Sequence, residues 1–244
     1  MKARFQVSWL LVACLCLPLL SRAQSRDSSK VVSVRQLSIP SKALKAYQQG
    51  IELLAKKDIE GSLSHFQRAI AEFATFYEAY YEIGEADLKL WRMADAEQAL
   101  RKSIELSDGQ FAQPLLALGA ILDYQKKFAE AEGVTRKGLD LDPASWSGYF
   151  YLGTALFGLN RCEEAEESVR EALRRKTDSP EALGLLADIH SSEKNYTALL
   201  KDLDGYLKLD PDSPTAVKAK ALREFAQRAL AQSQGTTALA SPHP

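Results

Sequence analysis

The sequence is poor in the residues that build sheets, cross-links or metal centres. Among 244 residues there are only 8 Val, 8 Ile and 8 Thr against 34 Ala and 36 Leu. Its apolar content is made of helix formers, which argues against a β-sandwich or barrel. Cys14 and Cys16 lie in an N-terminal apolar run and Cys162 stands alone beyond it, so no intramolecular disulfide is possible in the chain that follows that run. The histidines His65, His190 and His243 fall where no two share a helix face, so neither a metal site nor a catalytic cluster is expected. P-loop, dinucleotide fingerprint and serine-hydrolase elbow are missing as well. We therefore expect no enzyme and no cofactor. An excess of one charge is also lacking. The 31 bases and 32 acids sum to −1, and without Lys2, Arg4 and Arg22 the remaining 28 bases face 32 acids, a balance of −4. Nothing there suits a nucleic-acid partner. What the chain does have is 46% apolar and 26% charged residues, enough to bury a sizeable core.

Its ends differ from its middle. Lys2 and Arg4 precede a mostly apolar run from Phe5 to Leu20, and Ser21-Arg22-Ala23 places small residues where a signal peptidase needs them. Residues 1–23 therefore read as a signal peptide cleaved before Gln24, which would make the protein exported, periplasmic or secreted. The run is interrupted at Pro18 and too short for a stable transmembrane anchor. Leu11-Val12-Ala13-Cys14 is similar to a lipobox, but the chain stays apolar after it, so a lipid anchor at Cys14 is the less favoured alternative. Residues 24–42 read as a linker and N-terminal arm, with Val31 to Ile39 suited to an extended segment on the first helices. Residues 233–244 are small, polar and end in proline, which predicts a disordered tail.

An internal repeat organises the middle. Gly50, Gly84, Gly119, Gly153 and Ala187 are separated by 34, 35, 34 and 34 residues. Nine positions beyond each lies Ile59, Met93, Phe128, Cys162 or Tyr196. Twelve beyond lies Ser62, Ala96, Ala131, Ala165 or Leu199, and twenty beyond lies Ile70, Ile104, Leu139, Leu173 or Leu207. With Leu115, Leu118-Gly119, Leu122 and Ala131 in one copy, and Tyr149, Leu152-Gly153, Leu156 and Ala165 in the next, the pattern resembles the tetratricopeptide repeat. The family's phase gives repeats at 43–76, 77–110, 112–145, 146–179 and 180–213, and a capping helix over 214–232.

The resemblance implies an all-α superhelical solenoid of five αα-hairpins. Glycine in each first helix, and the small residue twelve positions on, let the two helices approach closely. The one-residue insertion near Ser107 to Gln113 falls in a turn containing Asp108-Gly109, where a loop absorbs it. Ser179-Pro180 and Ser213-Pro214 supply a cap and a first-turn proline for the last two first-helix starts. His190 and Cys162 occupy packing columns, and Tyr80 and Tyr149 the bulky one, so all four are expected to pack. Glu163 and Glu164 against Arg174 and Arg175 match a helix dipole.

In this family ligands lie in the concave groove of first helices. Carried over position by position, that groove would be lined by Tyr47, Ile51, Glu78, Tyr81, Glu85, Gln113, Leu116, Asp123, Tyr124, Phe150, Thr154, Phe157 and Asp188, with Ala120 and Glu181. The basic clamp that some relatives use for carboxylates is replaced by Tyr47, Ile51, Glu82, Gln113 and Ala117. The implied function is an exported scaffold or adaptor holding an apolar or basic segment or helix of a partner protein. The alternative is a structural assembly or chaperone-like component of a cell-envelope complex that uses the convex face or the helix ends.

Overall fold

The structure, a computed structural model, describes residues 38–239, with side chains to residue 232. The expected signal peptide, most of the linker and the last five residues lie outside the described residues. Among the described residues there are eleven helices and no strand. They are α1 (Ser41–Ala55), α2 (Ile59–Glu72), α3 (Tyr77–Lys89), α4 (Met93–Leu106), α5 (Ala112–Tyr124), α6 (Phe128–Leu141), α7 (Trp146–Gly158), α8 (Cys162–Arg175), α9 (Pro180–Ser192), α10 (Tyr196–Leu209) and α11 (Ala216–Leu239).

Odd and even helices pair into five hairpins, each even helix packs on the next odd one, and α11 covers α10. The odd helices α3, α5, α7 and α9 also touch in succession, and among the described residues no contact of that extent joins the even helices. The first helices therefore form the inner face of an all-α solenoid, and the second helices form the outer one.

The repeat columns explain the packing. Ile59, Met93, Phe128, Cys162 and Tyr196 each open a second helix. Ser62, Ala96, Ala131 and Ala165 have no exposed surface, and Ala96, Ala131 and Ala165 meet the glycine of the partner helix, while Gly50 is covered by Phe66. A Cβ on Gly84 would lie 2.7 Å from Leu100 and 3.4 Å from the Ala96 carbonyl; on Gly153 it would lie 2.5 Å from Val169 and 3.3 Å from the Ala165 carbonyl. In the fifth hairpin Ala187 and Leu199 replace this pair, and both are buried.

The turns between paired helices have no glycine signature. Lys57, Trp91, Lys126, Asn160 and Lys194 end the first helices with φ between 56° and 63°, and they recur at the period of the repeat. In each case the next amide donates to the carbonyl five residues back, as from Asp58 to Leu53 and from Lys127 to Leu122 at 3.0 and 2.8 Å. This wrapped terminus satisfies carbonyls that the helix leaves open.

Several expectations are refined. The first helix starts at Ser41, two residues before the first repeat, and Ile39 is buried against Ala43, Ala46 and Phe76. The inserted residue is absorbed where Asp108 and Gly109 take φ of 51° and 67°, and α4 still packs on α5. Ser179 caps α9, accepting from the Ala182 amide at 3.3 Å with Pro180 in the first turn. Ser213 accepts from the Ala216 amide at 3.1 Å, so the final helix begins at Ala216, past Pro214. That helix continues to Leu239, into the segment expected from sequence as a tail.

Two glycine substitutions separate packing from propensity. Gly153→Ala is expected to destabilise the protein by about 1–3 kcal/mol, because the new methyl overpacks the α7–α8 contact. Gly133→Ala places its methyl on α6 where nothing lies within 4 Å, and is expected to stabilise by about 0.5–1 kcal/mol. Urea denaturation of the two variants checks both signs.

Candidate functional site

Two parts of the inner face gather the residues predicted from sequence. The first lies toward the C-terminus, in a cavity of about 600 Å³ bounded by α7, α9, α10 and α11. Phe150, Leu185, Leu203 and Leu222 give it apolar walls, and Glu181, Asp188 and Lys218 supply charge. Gly184, also in the lining, adds no side chain to fill it. The Thr154 hydroxyl reaches the cavity but already donates to the Phe150 carbonyl at 3.0 Å. Phe150 is braced by Trp146 and Tyr151, with ring centroids at 6.5 and 5.7 Å. Phe150, Thr154, Asp188 and Glu181 are thus brought together, while the part contributed by α11 was not assigned to the groove from sequence.

The second part spans the first three inner helices and α7. The Tyr47 hydroxyl donates to Glu82 at 3.4 Å, joining repeats one and two, and its ring lies 5.0 Å from Phe76. Tyr81 packs edge-on against Phe111 at 5.3 Å. Burial raises the hydroxyl pKa of Tyr81, and Glu85, Glu82 and Tyr151 add to the effect. Tyr151 is likewise pushed up by burial, then by Glu85 and Asp123. Burial and Glu85 also hold the Glu82 carboxyl above its usual range. Lys89 is the cation that meets Glu85 here, at 3.5 Å. Glu82 stands where the resemblance puts a clamp residue, whereas Tyr151 was missed from sequence, since it lies one position past a groove position of the family.

Asp123 is the outlier. It is 9% exposed, neither carboxylate oxygen has a hydrogen-bond partner, and burial pushes its pKa up to about 7.

The remaining predicted residues separate. Leu116 sits in the core with Leu139, Leu152 and Leu156, so it offers no surface to a partner. Its side chain fills the space left open by Gly138 of α6 and Gly148 of α7. Phe157 packs partly against the same core. Tyr124, Ile51 and Gln113 are exposed, and Glu78 is half-buried. None of these lines the C-terminal cavity.

The residues assigned to packing add polar detail. His190 is buried, with Nδ1 2.5 Å from Asp202 Oδ2 and Nε2 3.1 Å from Glu166 Oε1. It joins α9 to its own hairpin and to the preceding one. Cys162 is half-buried, its Sγ 3.8 Å from the Ser192 hydroxyl. Tyr80 and Tyr149 are half-buried toward the outer side, and Arg175 stacks 4.2 Å above the Tyr149 ring. A wider hollow of about 930 Å³ opens on that outer side between α2 and α4, over Leu63, Ile70 and Ile83. Among the described residues no group of three or more His, Cys, Asp or Glu could hold a metal ion, and no helix is long and apolar enough to cross a membrane.

A fold of stacked hairpins whose first helices line one face defines a helical repeat protein, and comparison with known proteins gives the family. A model described as tetratricopeptide repeat matches residues 47–111, 116–180 and 152–214. The chain belongs to the tetratricopeptide repeat family.

Two curated relatives are tetratricopeptide repeat protein 16 of Macaca fascicularis, 25% identical over 207 residues and 82% of this chain, and that of Mus musculus, 25% identical over 180 residues and 71%. The chain spans about a quarter of their length, 23% and 24%. Among solved structures, the fold is similar to MamA from Desulfovibrio magneticus (TM-score 0.63, 18% identity, 72% of this chain and 99% of that one). It is also similar to Pseudomonas aeruginosa pilF (0.64, 19%, 80% and 90%) and to YrrB, described as a TPR protein with an unusual peptide-binding site (0.60, 17%, 73% and 92%).

The state of Asp123 makes stability depend on pH. Its native pKa lies above the ordinary 3.8, so the native state holds the proton more tightly than the unfolded chain. Stability then falls as pH rises from about 4 to about 7. Asp123→Asn removes that slope. Between about pH 5 and about pH 8 the wild type is expected to lose about 1–3 kcal/mol relative to the variant, read from urea midpoints at each pH.

Proposed function

We propose that this chain is an exported scaffold that holds an apolar or basic segment of a partner protein along its inner face. The observation that carries the reading is the C-terminal cavity, where Phe150, Leu185 and Leu222 make apolar walls beside Glu181 and Asp188. Side chains of a partner find there a preformed pocket of the size and lining that peptide anchors use. The carboxylates disfavour an acidic segment and orient a basic one. The solved relative described as having a peptide-binding site supports binding by this fold. Export rests on residues 1–23, whose charge, apolar run and Ser21-Arg22-Ala23 end suit a cleaved signal.

A second reading has one observation in its favour. The outer hollow over Leu63, Ile70 and Ile83 would suit a structural assembly that uses the convex face.

With the chain as bait, Tyr81→Ala combined with Phe150→Ala is expected to weaken partner capture at least about tenfold, the usual effect of removing aromatic anchors. Equal capture by wild type and variant would sink the groove reading. A stoichiometric partner lost on Lys102→Glu, a residue of the outer hollow whose side chain is 40% exposed, but kept by the groove variant would favour the outer face. For export, N-terminal sequencing of the exported protein is expected to begin at Gln24, and any other start overturns the cleavage site.

A further inference from the structure

Helix α11 keeps the register of the first helices but has no second helix to meet it. Val217, Ala221, Phe225 and Arg228 stand 34 residues beyond Leu183, Ala187, Ser191 and Lys194. In the complete hairpins these positions face the second helix of the same repeat. Leu183 lies against Gly205 of α10, Leu88 packs with Ala96 and Leu100 of α4, and Gly153 meets the Ala165 carbonyl of α8. Arg228 holds the position at which Lys57, Trp91 and Lys194 reverse the chain, but here the helix runs on to Leu239. The face is therefore left bare. Val217 is 71% exposed and Phe225 51%, with Ala221 exposed between them, and Tyr196 braces the Phe225 ring edge-on at 6.0 Å. The C-terminal cavity uses a different side of α11, through Lys218, Ala219 and Leu222.

We propose that this face packs on the same face of a second copy of the chain, the two α11 helices running antiparallel about a two-fold axis beside Ala221. The face suits a helix, because in every complete repeat it receives one, and Ala221 in the glycine column lets the other backbone come close. Its pattern is complementary to itself. Val217 and Phe225 stand four residues either side of Ala221, so the valine of one copy opposes the phenylalanine of the other. Lys220 and Glu224 share one margin of the stripe and also lie on either side of Ala221. The glutamate of each copy therefore meets the lysine of the other, the reciprocal pairing that a two-fold contact requires. Such a contact closes on itself, so assembly stops at two copies.

Sedimentation velocity of the chain tests it. The mass is expected to rise from one chain at about 1 µM to two at about 500 µM, the range that a contact smaller than a standard interface reaches. Ala221→Glu and Val217→Glu, both at exposed positions, should each raise the dissociation constant at least about tenfold and leave the urea midpoint of the dilute chain unchanged. Lys220→Glu should weaken association about threefold or more, and Lys220→Glu combined with Glu224→Lys should restore it. A single-chain mass at every concentration, association unmoved by Ala221→Glu, or assembly beyond two copies overturns the pairing. Association lost on Lys220→Glu and not restored by the exchange overturns its antiparallel register.

Discussion

The contact between the glycine of each first helix and the small residue of its partner sets the geometry of everything else. At Gly84 and Gly153 the missing methyl leaves just enough room for the carbonyls of Ala96 and Ala165 and the side chains beyond them. Two helices held that close bury leucine and phenylalanine on both flanks, as Phe66, Leu100 and Leu156 show by having almost no exposed surface. Helices of 13 to 15 residues would be marginal in isolation. Their stability comes from neighbours, so a bulky residue in one such contact disturbs the seating of the next hairpin as well.

Close pairing also decides which surfaces remain for function. Each first helix ends in a wrapped turn at Lys57, Trp91, Lys126, Asn160 or Lys194, and the left-handed conformation costs about 1–2 kcal/mol at a residue with a side chain. Five repetitions of that cost are sustained because the turn returns the chain at the spacing that the glycine contact requires. The outer face is then laced from repeat to repeat by ion pairs: Arg101 reaches Glu130, and Arg161 reaches back to Glu132, both at 2.7 Å. Such exposed pairs contribute little individually.

The repeat, its phase and its helical class were legible because glycine, alanine and leucine columns are direct consequences of packing. The start of every second helix could be read from the column of Ile59, Met93, Phe128, Cys162 and Tyr196. The turns could not be read, since lysine, tryptophan and asparagine carry no general signal for a positive φ. The inner face was half legible. Phe150, Thr154 and Asp188 were carried over from the groove positions of the family, and they share a cavity. Leu116 was carried over in the same way but is buried, because contacts with adjacent hairpins are absent from a one-dimensional pattern. Tyr151 and the contribution of α11 depend on how far one hairpin rotates against the next, and no residue spacing encodes that angle.

Three buried polar residues near the ends of first helices show how differently the same environment is met. Asp87 and His190 occupy one column. The carboxylate of Asp87 lies 3.7 Å from Arg92, and the ring of His190 sits between Asp202 and Glu166. In both, burial is compensated by a partner within the solenoid, as stable interiors require. Asp123 lies one position further along its helix, where the corresponding residues of the neighbouring hairpins are Leu88 and Phe157, and it has no partner. An apolar residue there would remove the desolvation cost without disturbing the glycine contact, which lies a full turn away. A neutral hydroxyl left unpaired, as at Thr135, is a modest cost of the close approach to Gly119. A carboxylate in the same state is a larger one, and it is met by a proton, which burial holds on Asp123 up to about pH 7.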